Sequence, residues 1–515
     1  MARSIFTAAL VALAGALASG AAAETTVFAN ANVVPMDVDG VLSDYTVVVE
    51  DDRIVAVGPA AEVEVPEGAS VIDAAGQWLM PGLADMHMHL ADPSPDFMRL
   101  WLAEGVTTVR NLNTLPEHQT WAKEVAAGDR VGPTIYDTGP VISGLSSEVS
   151  LIGYAFKAAA VVGLLILFLI AIVVARIASR RWPGRGTVLG GSALAVAAGA
   201  GLVATHVIPL DALISPFFHD FNAVETPAEA RAAVQRQAKD GYRMVKIYEF
   251  MGQGWLAAQK AAQEAGMYSI SHLDSDVSLE DAVSSGMDEI AHVDELLDFI
   301  LARKMDLDHF DPIPVDEAKL QKVIDTVAGH DLMVVSNMVV DENAIDYLEA
   351  GPSYFDRPEY KVIRPETVAQ WRKSRVVHWQ GQQDYRREVQ PYFAALVKGL
   401  HDAGVPILTG TDVGVEGVTP SHIHREIELL VEAGLSRYEA LRAATVNAND
   451  SLRRTGFDVN VGTVTPGASA DLVLLRANPL TTPDGTRDRV GVMSQGRWRT
   501  QGELDKLTAE LTTSY

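Results

Sequence analysis

Apolar and polar positions alternate in short runs at both ends of the chain. Thr26–Val34, Thr46–Val49, Arg53–Val57 and Ser70–Asp73 read as strands, parted by turn clusters such as Asp37-Val38-Asp39-Gly40 and Asp51-Asp52. Gly462–Thr465, Ala470–Leu475, Val490–Ser494 and Gly496–Arg499 resume that texture. Residues 24–80 and 461–500 are therefore expected to form one small β-sandwich, with 501–515 as a C-terminal tail. In between, strand-like runs alternate with helical ones. Strands are expected at Ala84–His89, Thr107–Asn111, Thr134–Ile142, Met244–Tyr248, Ser269–His272, Glu289–Val293, Met333–Asn337 and Pro406–Thr411. Thr226–Lys239 and Pro391–Ala403 carry the apolar period of amphipathic helices. The alternation predicts an α/β fold, a (β/α)8 TIM-like barrel over 81–149 and 219–460.

One stretch breaks the pattern. Ala158–Ala175 contains no charge, and at ~1.5 Å per residue it is long enough to span a bilayer's hydrocarbon core. Thr187–Leu210 is a second apolar run, rich in Gly and Ala, with only His206 as a possible charge. Arg176, Arg180, Arg181 and Arg185 lie between them and mark a cytoplasmic loop. Residues 150–218 are thus expected to be a two-helix transmembrane insertion. Residues 1–23 read as a signal peptide: Arg3, the apolar Ile5–Leu17, then Ala21-Ala22-Ala23 before Glu24. Both signals predict a bacterial inner-membrane protein with two transmembrane helices and its catalytic domain facing the periplasm. The insertion follows the third strand, in a loop on the barrel's C-terminal face where active sites lie. The lipid bilayer is therefore expected as a partner beside the catalytic mouth.

Charge and composition narrow the function. A formal net charge of −26 leaves no basic face for nucleic acid. The chain has no cysteine, so a metal would have to be held by His, Asp, Glu or a modified Lys.

The chemistry sits at the ends of the expected strands. In Gly82-Leu83-Ala84-Asp85-Met86-His87-Met88-His89, residues two apart on a strand face the same way, so His87 and His89 converge. Lys246, His272, His292 and Asp412 end four later strands. Buried His and Asp are costly unless paired or bound to metal, and together these residues favour a metal site.

With these residues the chain resembles the amidohydrolase superfamily, in its imidazolonepropionase-like and prolidase-like branch. PGLADMHMHL, GVTTVRNL, MVKIY, TGTD, SHIHREIELLVEAGLSRYEALRAATVNA and GTVTPGASADLVLL occur in order with barrel spacing. The resemblance implies two divalent metal ions, usually Zn2+, that share a bridging hydroxide. It implies that His87, His89 and Asp412 hold one ion and that His272 and His292 hold the other. Lys246 would bridge both as a CO2-derived carbamate, because a protonated amine has no lone pair to give. Asp412 would move the proton and Tyr248 would face the same pocket as a catalytic donor. His424, and more weakly His422, would contact substrate. Ser143-Gly144-Leu145-Ser146-Ser147-Glu148 stands where relatives often carry a Gly-Gly-His-type segment, so specificity does not transfer from them.

The expected function is membrane-anchored hydrolysis of a lipophilic small-molecule amide, such as an N-acyl amino acid or lipid amide, by a homo-oligomer. A tethered Xaa-Pro-type dipeptidase, a lactonase or esterase, and a catalytically silent binding protein are the alternatives.

Overall fold

A computed structural model describes residues 25–90, 94–144, 221–249, 251–301, 316–378, 383–414 and 417–513. Strands from both termini build one eight-stranded sheet. Thr25–Val33 pairs antiparallel with Leu42–Glu50 and parallel with Trp78–Pro81. Trp78–Pro81 in turn pairs antiparallel with Leu472–Leu475 near the far end of the chain. Phe28, Val33, Val47, Ile54, Leu474 and Met493 form this sheet's own buried core. The segment expected to be a tail instead carries the helix Gln501–Thr513, which buries Leu504 and Leu511.

The central region is a parallel ladder. In chain order we label Leu83–Met88 β1, Val106–Asn111 β2, Thr134–Asp137 β3, Met244–Ile247 β4, Tyr268–Ser271 β5, Glu289–Ile290 β6, Met333–Val335 β7 and Ile407–Leu408 β8. Neighbours β1 to β3 and β4 to β8 pair in parallel. Past β3 the chain breaks at Gly139-Pro140, where proline offers no N–H to the ladder. It resumes as Val141–Ser143, which pairs with β4. Met86 N–H donates to Thr409 O at 2.9 Å and Met88 bridges Val413, so β8 returns to β1 and the ladder closes.

The expected fold class and location need correction. Among the described residues no helix is long and apolar enough to cross a membrane. The longest, Gln383–Asp402, carries Asp384, Arg386, Arg387, Glu388 and Lys398 and is amphipathic. The fold is α/β, and the two-span inner-membrane placement with a bilayer partner is not supported. Residues 150–218 and the 1–23 segment read as a signal peptide lie outside the described residues.

Candidate metal centre

Side chains from five strands meet at the carboxyl end of the ladder. His89 Nε2 lies 3.0 Å from Asp412 Oδ1, and His87 Nε2 lies 3.6 Å from the same oxygen. His292 Nε2 stands 3.6 Å from Asp412 Oδ2 and 3.3 Å from His87 Nε2. The rings of His272 and His292 are 4.7 Å apart. Lys246 is 1% exposed, and its Nζ has no hydrogen-bond partner among the described residues.

Local backbone explains the convergence. Asp412 adopts a φ of 57°, a left-handed conformation that aspartate tolerates better than most residues. Its N–H donates to His87 O at 2.6 Å, locking the loop after β8 onto β1. Gly410 is required here: a Cβ would lie 2.6 Å from His87 Cβ and 2.3 Å from Asn337 Oδ1. Asp85 ties the same two strands, accepting from Thr411 N–H at 3.0 Å and from Thr411 Oγ1 at 2.5 Å.

The ring protons follow from the outer partners. His87 Nδ1 is 3.1 Å from Ala291 O, an acceptor only. His272 Nδ1 is 2.5 Å from Glu295 Oε1, and His292 Nδ1 is 3.4 Å from Asp294 Oδ1. The outward Nδ1 of His87 and of His272 therefore carries the hydrogen, and their Nε2 atoms turn lone pairs toward the cluster. Burial, reinforced by Lys246, keeps His87 and His272 neutral, well below the usual histidine range. Burial opposes the charge on Asp412, but His89, His292 and Lys246 hold its carboxyl below the ordinary value. Burial also pulls the Lys246 ammonium down, against the carboxylates of Asp412, Glu295 and Glu289. Inward lone pairs facing one another around an orphaned amine repel unless a cation lies among them. This donor set fits divalent metal.

Two groups of donors have their ligand atoms within 4.8 Å: His87, His292 and Asp412, and His272, His292 and Glu295. Sequence reading missed Glu295; the signal was its spacing, three residues after His292. Tyr248 joins the cluster, its ring 3.9 Å from that of His272. His424 and His422 do not. His424 is fully buried against Thr486, Glu104 and Arg489, at 2.8, 3.2 and 3.0 Å. His422 Nδ1 turns back to Thr419, and the residue lines a separate cavity with Arg425 and Arg487.

Residues 215–499 match the amidohydrolase family. The chain belongs to that family. Over 73 residues it is 41% identical to imidazolonepropionase of Acidiphilium cryptum, covering 14% of this chain and 18% of that enzyme. The chain thus matches about a fifth of that curated relative's length. Among solved structures it resembles a bottromycin amidohydrolase, with a TM-score of 0.63 at 19% identity over 95% of this chain and 90% of that one. It also resembles a Xaa-Pro dipeptidase with bound methionine, with a TM-score of 0.58 at 17% identity over 93% and 100%. Identities this low establish a common fold. Amidohydrolases typically use divalent metal ions, and the histidines and Asp412 of these groups are this member's candidates for holding them.

Proposed function

We propose that this amidohydrolase cleaves a carbon–nitrogen amide bond in a small organic substrate with two divalent metal ions, Zn2+ first among them. The supporting observation is the buried, orphaned Lys246 amine among inward-facing histidine lone pairs. His87, His89 and Asp412 would hold one ion, and His272 and His292 the other. Such ions lower the pKa of a bound water and polarise a carbonyl.

The chain's own groups supply the rest. Burial favours the neutral Lys246 amine. Its lone pair could add to the carbon of CO2 with loss of one proton, and the carbamate so formed would offer oxygen donors to metal. The Asp412 carboxylate accepts a proton from the attacking water and hands it to the leaving nitrogen. Burial, with Glu249 beside it, pushes the Tyr248 hydroxyl well up, so it stays a donor for the developing oxyanion.

A cavity of about 390 Å³ opens beside His89. Phe97, Ile363, Trp371 and Val413 give it apolar walls, and Arg364 and Glu366 add one charge of each sign. The apolar walls support a substrate with an apolar group, and Arg364 supports one that also carries a carboxylate, as in an N-acyl amino acid. A dipeptide of Xaa-Pro type is the second reading, favoured by the likeness to the Xaa-Pro dipeptidase. Zn2+-loaded protein assayed on acyl amino acids, dipeptides and lactones tests both. Turnover of lactones alone would refute amide hydrolysis, and indifference to acyl length would remove the apolar subsite.

A further inference from the structure

His292 is followed at once by the short 3-10 turn Val293–Leu296. The turn's two acidic side chains serve two different histidines. Asp294 Oδ1 lies 3.4 Å from His292 Nδ1, and Glu295 Oε1 lies 2.5 Å from His272 Nδ1. The other oxygen of Glu295 accepts from Leu273 N–H at 3.1 Å. Both Glu295 oxygens are thus committed, one to the ring and one to the backbone just beyond it. On its other sides His272 is fixed by Trp255 Nε1, which donates to its carbonyl at 2.9 Å, and by the overlying Tyr248 ring.

The opposite side of the cluster is supported differently. Among the described residues His87 Nδ1 meets only the backbone carbonyl of Ala291. One pair of histidines is therefore backed by carboxylates, and the facing histidine by a neutral amide. A carboxylate behind an imidazole fixes its tautomer, aims its free nitrogen and makes that nitrogen a stronger donor.

We infer that Glu295 is a positioning residue, acting through His272, that sets the metal affinity of the His272–His292 position separately from the His87–His89–Asp412 position. The inference rests on the metal reading given above. It assigns the 3-10 turn a purpose: a single turn of chain supplies the anionic support for one of two neighbouring cation positions.

The test is to strip the full-length protein of metal, supply bicarbonate and titrate it with Zn2+ against a competing chelator, beside E295Q. The amide keeps the shape and one hydrogen bond but loses the charge. One affinity should weaken by about 10- to 100-fold while the other stays unchanged. Cobalt(II) substitution should show the same selectivity, with one of two visible absorption components lost first in E295Q. Should E295Q fail to fold, E295D gives the same reading, since a carboxylate one methylene short cannot hold both His272 and Leu273. Unchanged affinities, or equal losses at both positions, would overturn the inference and leave the metal reading standing. A wild-type protein that takes up no metal would overturn both.

Discussion

Arg110 on β2 donates through both terminal nitrogens to Glu289 on β6, and neither side chain is exposed to solvent. Arg110 Nε donates to Met86 O at 2.8 Å, and the hydroxyls of Tyr268 and Ser451 donate to Glu289 Oε2 at 3.0 and 3.2 Å. The pair joins β1, β2, β5 and β6 on the amino-terminal side of the metal ligands on those strands. A buried charge stripped of its partner costs ~3–5 kcal/mol, whereas replacing both partners with apolar groups costs far less. Glu289→Ala should therefore lose stability in that range in urea unfolding, and Arg110→Met with Glu289→Leu should recover most of it. A single-variant loss under about 1 kcal/mol, the range of an exposed pair, would contradict this.

Metal removal should weaken the fold itself. The Nε2 atoms of His87 and His292 are 3.3 Å apart, close enough for one cation to bind both. A ligand that binds only the native state stabilises it by about 4 kcal/mol at a thousandfold excess over Kd. Thermal melts with saturating Zn2+ should thus run well above melts with a chelator. The gap should collapse in a His87→Ala, His292→Ala double variant. Equal melting temperatures with and without chelator in the wild type would rule out a cation at this position.

The convergence of His87, His89, Lys246, His272, His292 and Asp412 was legible because each lies at or just past the end of a short apolar strand and strand ends share one side of a parallel ladder. Glu295 was not, because Asp294-Glu295 in an acidic stretch reads as solvated surface until the 3-10 turn folds it back. His422 and His424 start the helix His422–Glu432 and point about 200° apart, and both stand apart from the histidine cluster. Strand limits erred for local reasons. The expected strand Thr134–Ile142 is interrupted at Gly139-Pro140, and Glu289–Val293 shortens to Glu289–Ile290 as the chain enters the turn. A helix expected to start near Pro391 begins at Gln383 and carries the proline inside. The two apolar runs read as membrane spans lie outside the described residues, and among the described residues no helix is long and apolar enough to cross a membrane.

His424 should leave a signature in the pH dependence of stability. Burial pulls its pKa down to about 4; Glu104 opposes that shift and Arg489 reinforces it. The folded protein holds the ring neutral, while the unfolded chain protonates it near 6.5. Between those values the unfolded state binds the extra proton, so the contribution is complete above 6.5 and is lost as pH falls toward 4. From pH 6.5 to 4 the wild type should lose up to about 3 kcal/mol more than His424→Gln, measured by urea unfolding. Parallel stability curves for the two proteins would show that the ring is not held neutral.

The cavity beside His89 makes a prediction that separates two recognition forces. Trp371 and Phe97 offer aromatic surface there, while Arg364 and Glu366 offer charge. Contact with a few methylenes is worth ~1–3 kcal/mol, so Trp371→Ala should cut kcat/KM for a long-chain N-acyl amino acid about 10- to 100-fold. The acetyl analogue, too short to reach the wall, should be little affected. A hydrogen bond to a charged group is worth ~1.5–3 kcal/mol, so Arg364→Met should cost at least about tenfold on carboxylate substrates and spare their carboxamides. Because the two substitutions act on different parts of one molecule, their effects on a long-chain carboxylate should multiply. A Trp371→Ala penalty independent of acyl length would mean that the wall supports the loop rather than the substrate.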